Sequence, residues 1–327
     1  MKEIKVEDIE SGGRLINFLR KLLPEASDSF IYKMLRKKNI DLNGSRADGK
    51  EILKSGDVIK IWFSEDTYNK FAGGYIPDVK ALDKYHVSEE EILDIKKRII
   101  FENRDLIIIN KLPGELSQKD SRDLSSVNEK LIAYMLSKGQ ISADQLRRFH
   151  PSIINRLDRN TSGIMLFGKT RDGIAKCSEL ISSRKVEKKY LCIVHDEDQT
   201  LPDNQKLHIG GSLIKDRRTN LSAWHPDHVK GGQDMSEDVT LLKRKNGLDL
   251  LLVEIHTGRS HQIRCSLSSF GFPVLFDPKY GNRTLDMKYY SMTDKRHQML
   301  HSYKLKIDSL NIDVTAEPPY VFDKLMS

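Results

Sequence analysis

Cysteine is scarce: Cys177, Cys192 and Cys265 are odd in number and far apart, with no C-x-x-C spacing. That excludes a disulfide framework and a thiolate metal site as the basis of the fold. Apolar runs are short, and none approaches the ~20 residues a membrane helix needs. The stretch MKEIKVEDIE is charged throughout and lacks the apolar core of a secretory signal. No internal repeat or low-complexity tract is present. His225 and His228 stand as H-x-x-H, and His256 lies near His261, but no third ligand follows at a recognisable spacing. These absences predict a cytoplasmic protein with no metal and no membrane association.

What the chain has in excess is positive charge, 54 Lys and Arg against 47 Asp and Glu. The excess is patchy. Residues 33–38 (KMLRKK) hold basic groups and no acid, and further clusters recur at 96–98, 183–189, 215–218 and 243–245. Any one cluster is explained by a solvated helix face. Together they are the footprint of a polyanionic partner.

Residues 12–64 read as a compact module. Leu15, Phe18, Leu19, Leu22 and Leu23 recur at helical spacing, and Pro24 ends that helix. Ser27 or Asp28 caps a second helix with the apolar face Ile31, Met34 and Leu35. IDLNG then reads as a strand entering an Asn43-Gly44 turn, and VIKIWF as a strand after Lys54-Ser55-Gly56-Asp57. Residues 65–97, with Gly73-Gly74, Pro77 and the acidic run Glu89-Glu90-Glu91, read as a linker. Beyond them, LIIIN, IMLFG, KYLCIV, DLLLVEIH and SYKLKI are strand-like runs among few helices. The expected fold class is α+β, with a mixed, largely antiparallel central sheet and flanking helices. The expected domains are 1–64, a linker at 65–97, and 98–327.

Three segments carry groups that suit chemistry. Asn155-Arg156-Leu157-Asp158-Arg159-Asn160-Thr161-Ser162-Gly163 is a polar loop between apolar runs, with a carboxylate between two guanidinium groups. Its residues are also ordinary turn formers, so the loop needs no function to exist. Arg184-Lys185-Val186-Glu187-Lys188-Lys189-Tyr190-Leu191 leads a tyrosine into a strand, where it is either core or a ring that stacks on an unpaired base. Thr257-Gly258-Arg259-Ser260-His261-Gln262-Ile263-Arg264 follows a strand, with Gly258 expected to allow the turn. Its donors suit phosphate and carboxylate partners.

Taken in order, N-R-L-D-x-x-T-S-G, R-x-V-x-K-x-Y-L and T-G-R-S-H-Q-I-R resemble the motifs of the RluA family of pseudouridine synthases. ENRDLIIINKLPGE is similar to the family's opening motif, and MLHSYKLKI with AEPPYVF to its closing strand and tail. The likeness runs from about residue 100 to 322. The module in front resembles the S-four type of RNA-binding domain, through a basic helix end, I-D-L-N-G and S-G-D-x-I. Two positions depart from the family pattern, Asn155 and Ser266, where the family usually has histidine.

The resemblance implies an enzyme that isomerises uridine to pseudouridine in RNA, most closely the branch acting on large-subunit ribosomal RNA, and without a cofactor. It assigns Asp158 as the catalytic carboxylate on a flipped-out nucleotide, Tyr190 as the ring under the target base and Arg264 as the partner of Asp158. Arg156 would take the place of the flipped base, and Ile263 would pack against Tyr190. Lys188, Arg259 and Lys111 would contact the substrate, the last in no specified role. Lys33, Arg36, Lys37, Lys38 and Arg46 would face RNA phosphates. A monomer is expected, since the partner is large. A non-catalytic ribosome-assembly factor and an enzyme acting on transfer RNA are the alternative readings.

Overall fold

The computed structural model describes residues 1–73, 85–120, 125–203, 205–216, 218–293 and 297–327. Two compact units emerge. One gathers 1–107, 118–154 and 166–178; the other gathers 108–117, 155–165 and 179–327. Neither 64 nor 97, the expected boundaries, bounds either unit.

In the first unit, a four-stranded antiparallel sheet has the order Lys2–Lys5, Val58–Ile61, Ile40–Leu42, Ser45–Arg46. Its last hairpin turns at Asn43 and Gly44, both at positive φ (52° and 75°), as an Asn-Gly turn requires. The helix Leu15–Leu22 stops short of Pro24, and Ser27 caps Asp28–Arg36 by accepting the Phe30 N–H at 3.3 Å. Leu15, Leu19, Ile31, Leu35, Ile40, Ile59 and Ile61 close the core.

The expected linker is helical in two stretches, Glu65–Ala72 and Glu89–Lys97. Ser64 and Ser88 cap them, and Ser88 with Glu91 forms a reciprocal capping box. The acidic run is therefore a first helical turn, favoured by the helix dipole. Gly74 and Pro77 lie outside the described residues.

The second unit is built on a sheet with the order Leu221–His225, Lys206–Asp216, Gln233–Lys245, Leu248–Ile255, Glu187–His195, Leu300–Ile307. These neighbours run antiparallel. Leu300–Ile307 then pairs in parallel with the start of Ser162–Gly168, through His301 with Ser162 and Ser302 with Gly163. The α+β expectation, with a mixed and largely antiparallel sheet, holds. Gly163 sits at φ 107°, and a Cβ there would lie 2.2 Å from the Ser302 carbonyl oxygen. Only glycine permits that approach. Among the described residues no helix is long and apolar enough to cross a membrane.

Candidate active site

The loop 155–161 is held from below by the segment after Leu106–Lys111. Lys111 is fully buried, and its ammonium donates to the carbonyls of Leu112 (2.9 Å) and Arg159 (3.0 Å). Gly114 N–H donates to the same Arg159 carbonyl, while Arg159 Nε donates back to the Gly114 carbonyl. Ser117 Oγ donates to the Leu157 carbonyl at 2.7 Å and accepts the Leu157 N–H. Gln298 Nε2 donates to Thr161 Oγ1 at 2.6 Å. A polar loop of this kind would otherwise be mobile; these bonds fix its backbone on both sides of Asp158. Lys111 thus sits against the loop through the Arg159 carbonyl.

Asp158 keeps its side chain 31% exposed and meets Arg264, whose Nη1 donates to Oδ2 at 2.7 Å. Arg264 projects from the helix Gln262–Ser269 and is buried. Its Nε and Nη2 donate to Asp277 at 2.6 and 2.7 Å, a bidentate grip. Burial works against its charge, but the carboxylates of Asp277 and Asp158 more than offset this and hold it above the usual arginine range. Burial also acts on Asp277, which the Arg264 hydrogen bonds and the Lys279 and Tyr280 N–H groups keep below the usual carboxylate range. The guanidinium is therefore a fixed, fully charged strut between two carboxylates. Its third side lies over the Tyr280 ring, 5.2 Å from the centroid.

His261 stands on the other side of the carboxylate. Its Nε2 is 3.8 Å from Asp158 Oδ1, the oxygen Arg264 leaves open. Its Nδ1 pairs with Tyr280 Oη at 2.9 Å, and that oxygen accepts the Ser222 N–H at 2.7 Å. The phenol has one proton, and its pKa is raised by burial. The Asp158 carboxylate facing Nε2 favours the tautomer with its proton there, and Nδ1 then accepts from the phenol. Burial holds His261 below the usual histidine range; Asp158 opposes this, and Arg264, Lys279 and Lys215 reinforce it. The result is a neutral imidazole with its N–H aimed at the open carboxylate oxygen. The backbone accommodates this at His261, in the left-handed region at φ 59°. Gly258, expected to make the turn, is not among the glycines at positive φ.

Tyr190 lies on Glu187–His195, opposite Val253 on one side and Ser302 on the other. Burial raises its phenol pKa; a hydrogen bond with Ser302 opposes that, and the charge of Asp158 adds to it. The tyrosine is thus within electrostatic reach of the carboxylate. Ile263 belongs to the apolar cluster against which Tyr190 packs. Lys188 has its ammonium beside Gly258, 3.6 Å from where a Cβ would stand, and burial lowers its pKa. Arg259 Nε donates to the Asp234 carbonyl at 2.9 Å, and Arg156 is exposed. Among the described residues, no group of three or more His, Cys, Asp or Glu is arranged to hold a metal.

Asp158, Tyr190, Ile263 and Arg264 thus share one region of one unit. The sequence did not single out Asp277, Tyr280 or the role of His261. Two of them stand in the run FDPKYG, and nothing local pairs that acid with a guanidinium 13 residues earlier.

A family model for RNA pseudouridylate synthase matches residues 105–269, half of the chain. Among curated proteins, the ribosomal large subunit pseudouridine synthase C of Buchnera aphidicola subsp. Acyrthosiphon pisum is 28% identical over 298 residues, covering 88% of this chain and 83% of that protein. The protein of the same name from Haemophilus influenzae is 27% identical over 319 residues, covering 94% and 87%. Among solved structures, human RNA Pseudouridylate Synthase Domain Containing 4 shares the fold with a TM-score of 0.57 at 19% identity, over 71% of this chain and 93% of that one. The family model spans the three central motifs, and the chain belongs to the RNA pseudouridylate synthases, in the RluA family.

Proposed function

We propose that this RNA pseudouridine synthase acts on large-subunit ribosomal RNA, with Asp158 as its catalytic carboxylate. The observation that carries the assignment is the clamp on Asp158: Oδ2 is bound by a buried guanidinium and Oδ1 is left open.

The reaction breaks the bond from ribose C1′ to uracil N1 and remakes it to C5, so no atom is gained or lost. It needs a carboxylate beside the sugar, a surface that retains the freed base and a dry pocket. Asp158 Oδ1, free of the Arg264 hydrogen bond, is the oxygen available to the nucleotide. Arg264 fixes the carboxylate's orientation. Tyr190, with Ile263 behind it, supplies an apolar face on which a uracil stacks. When the glycosidic bond breaks, the base takes on negative charge. The neutral Nε2–H of His261 is a preorganised donor for it. Arg156 on the Asp158 loop, Lys188 two residues before Tyr190 on its strand, and Arg259 just before the helix of Arg264 would supply cations for the flanking phosphates. The basic residues Lys33, Arg36, Lys37, Lys38 and Arg46 of the amino-terminal module grip RNA elsewhere, as an S-four-type domain.

The test is release of tritium from carbon-5-labelled uridine in large-subunit ribosomal RNA. Asp158→Asn keeps the shape and the Arg264 contact but removes the carboxylate. Its release falls at least about a thousandfold, while RNA affinity stays within about threefold. Turnover near the wild-type rate would remove Asp158 from this role. Mapping pseudouridines in ribosomal RNA from cells lacking the protein tests the substrate, and an unchanged large-subunit pattern would overturn it.

A further inference from the structure

Trp62 is an unusual feature of the first unit. It is 53% exposed, yet its indole is held in place. Nε1 donates to Asp41 Oδ2 at 2.7 Å, and Asp41 is only 2% exposed beneath it. The other Asp41 oxygen accepts the Gly44 N–H at 3.0 Å, so the carboxylate is fixed by the hairpin turn. The Trp62 backbone continues the ladder past Ile61, donating to the Asn39 carbonyl at 2.8 Å. A surface tryptophan left to itself samples several rotamers; this one is tethered at both backbone and ring.

The sheet register shows where it points. Ile4, Ile40, Ile59 and Ile61 face the buried core. Side chains alternate along a strand, so Lys60, Asp41 and Arg46, which stand opposite one another, lie on the outer face, and Trp62 lies there too. Next to its partner Asn39 come Lys37 and Lys38, both exposed, at the end of the helix that carries Lys33 and Arg36. Among the described residues, none of Lys33, Arg36, Lys37, Lys38 and Arg46 is in an ion pair, and no ring or cation lies against the Trp62 indole.

We propose that Trp62 is a stacking platform for an unpaired base of the RNA, flanked by Arg46 and the Lys37–Lys38 corner, which take the adjoining phosphates. The proposal rests on the reading of this module as an RNA grip and names the part of the RNA it takes: a single-stranded nucleotide. A rigid π-face beside unpaired cations is the arrangement that single-strand binders use, because every base has a face to stack whatever its sequence. A duplex offers phosphates but no free face.

The chain has two tryptophans, Trp62 and Trp224. Trp224→Phe therefore leaves Trp62 as the sole indole reporter in the full-length protein. Titration with a short single-stranded oligouridylate is expected to quench its fluorescence to a plateau, and a duplex of equal length to quench it much less. In the otherwise native chain, Trp62→Ala weakens oligouridylate binding roughly five- to one-hundredfold. It leaves the slope of log affinity against log salt unchanged, because no charge is lost. Trp62→Phe, which retains a stacking ring, recovers part of the loss and controls for folding. The platform is overturned if Trp62 emission does not change at saturating RNA, if duplex and single strand quench alike, or if both variants bind as wild type. If neutralising Lys33, Arg36, Lys37 and Lys38 also leaves affinity and salt slope untouched, the RNA-grip reading has failed with it. If those charges matter and Trp62 does not, only the platform falls.

Discussion

Asp158 is defined by what its two oxygens meet. Oδ2 is committed to Arg264, and Oδ1 faces the Nε2–H of His261 across 3.8 Å. That tautomer is matched by Tyr280, whose phenol can donate to Nδ1 while its oxygen accepts the Ser222 N–H. Removing the phenol oxygen frees the imidazole to carry its proton on either nitrogen. Tyr280→Phe is therefore expected to lower kcat roughly tenfold with little change in KM, since the ring under Arg264 is kept. His261→Ala should lower kcat further, by about one hundredfold, and make the Tyr280→Phe change silent in the double variant. Single-turnover tritium release measures both. Additive losses would mean that the two residues act separately and that the tautomer is not the reason for their pairing.

At the level of elements, the helix Gln262–Ser269 leans on a buried acid. Glu237, in the strand Gln233–Lys245, is fully buried and bonded by the Ser266 hydroxyl and by Gln262 Nε2 at 3.0 Å. Burial pushes it up to about 7 against those two donors. In the unfolded chain it loses its proton near 4.5. Between these values the unfolded state binds fewer protons than the folded one, so stability falls as pH rises, and above about 7 the penalty is constant. Glu237→Gln keeps the shape and cannot ionise. Thermal unfolding should show no gain for the variant below pH ~4.5, a growing gain through the interval, and a plateau of up to about 3 kcal/mol above pH ~7. A gain that does not vary with pH would show that Glu237 keeps its ordinary titration. This partner of the helix that carries Arg264 was not legible in the sequence, since it lies 29 residues from Ser266 in a strand of alternating polar positions. What was legible came from local pattern. The apolar runs gave the strands, the Asn43-Gly44 pair gave its hairpin, and the ordered motifs singled out Asp158, Tyr190 and Arg264. The helix Glu89–Lys97 is readable too, as Ser88-x-x-Glu91 is a capping box, but three adjacent acids without an apolar periodicity hide it. Long-range pairing, such as Arg264 with Asp277, leaves no periodic trace.

For the whole molecule, the proposed division of labour is that residues 155–264 do chemistry and the amino-terminal charges hold RNA. Cutting the chain at residue 64 is a poor way to test it. The helix Leu15–Leu22 packs on Ala143–Arg148, and the buried Arg148 pairs with Glu10 and lies over the Phe18 ring. Deleting 1–64 would remove the Glu10 partner and the Phe18 ring and expose the surface of Ala143–Arg148 that they cover. Changing Lys33, Arg36, Lys37, Lys38 and Arg46 to alanine removes charge without touching the core, because all five are exposed. On single-stranded RNA, each phosphate neutralised by one of these side chains adds about 0.7 to the slope of log affinity against log salt, so replacing all five lowers the slope by at most about 3.5. Affinity falls most at low salt, where counterion release contributes most. At saturating RNA the rate of tritium release stays near wild type, because Asp158, Tyr190, His261 and Arg264 belong to the other unit. Binding across a salt series, with turnover at saturation, separates the two roles. An unchanged slope would show that the charges do not touch phosphate, and a collapsed rate at saturation would show that the module takes part in the chemistry.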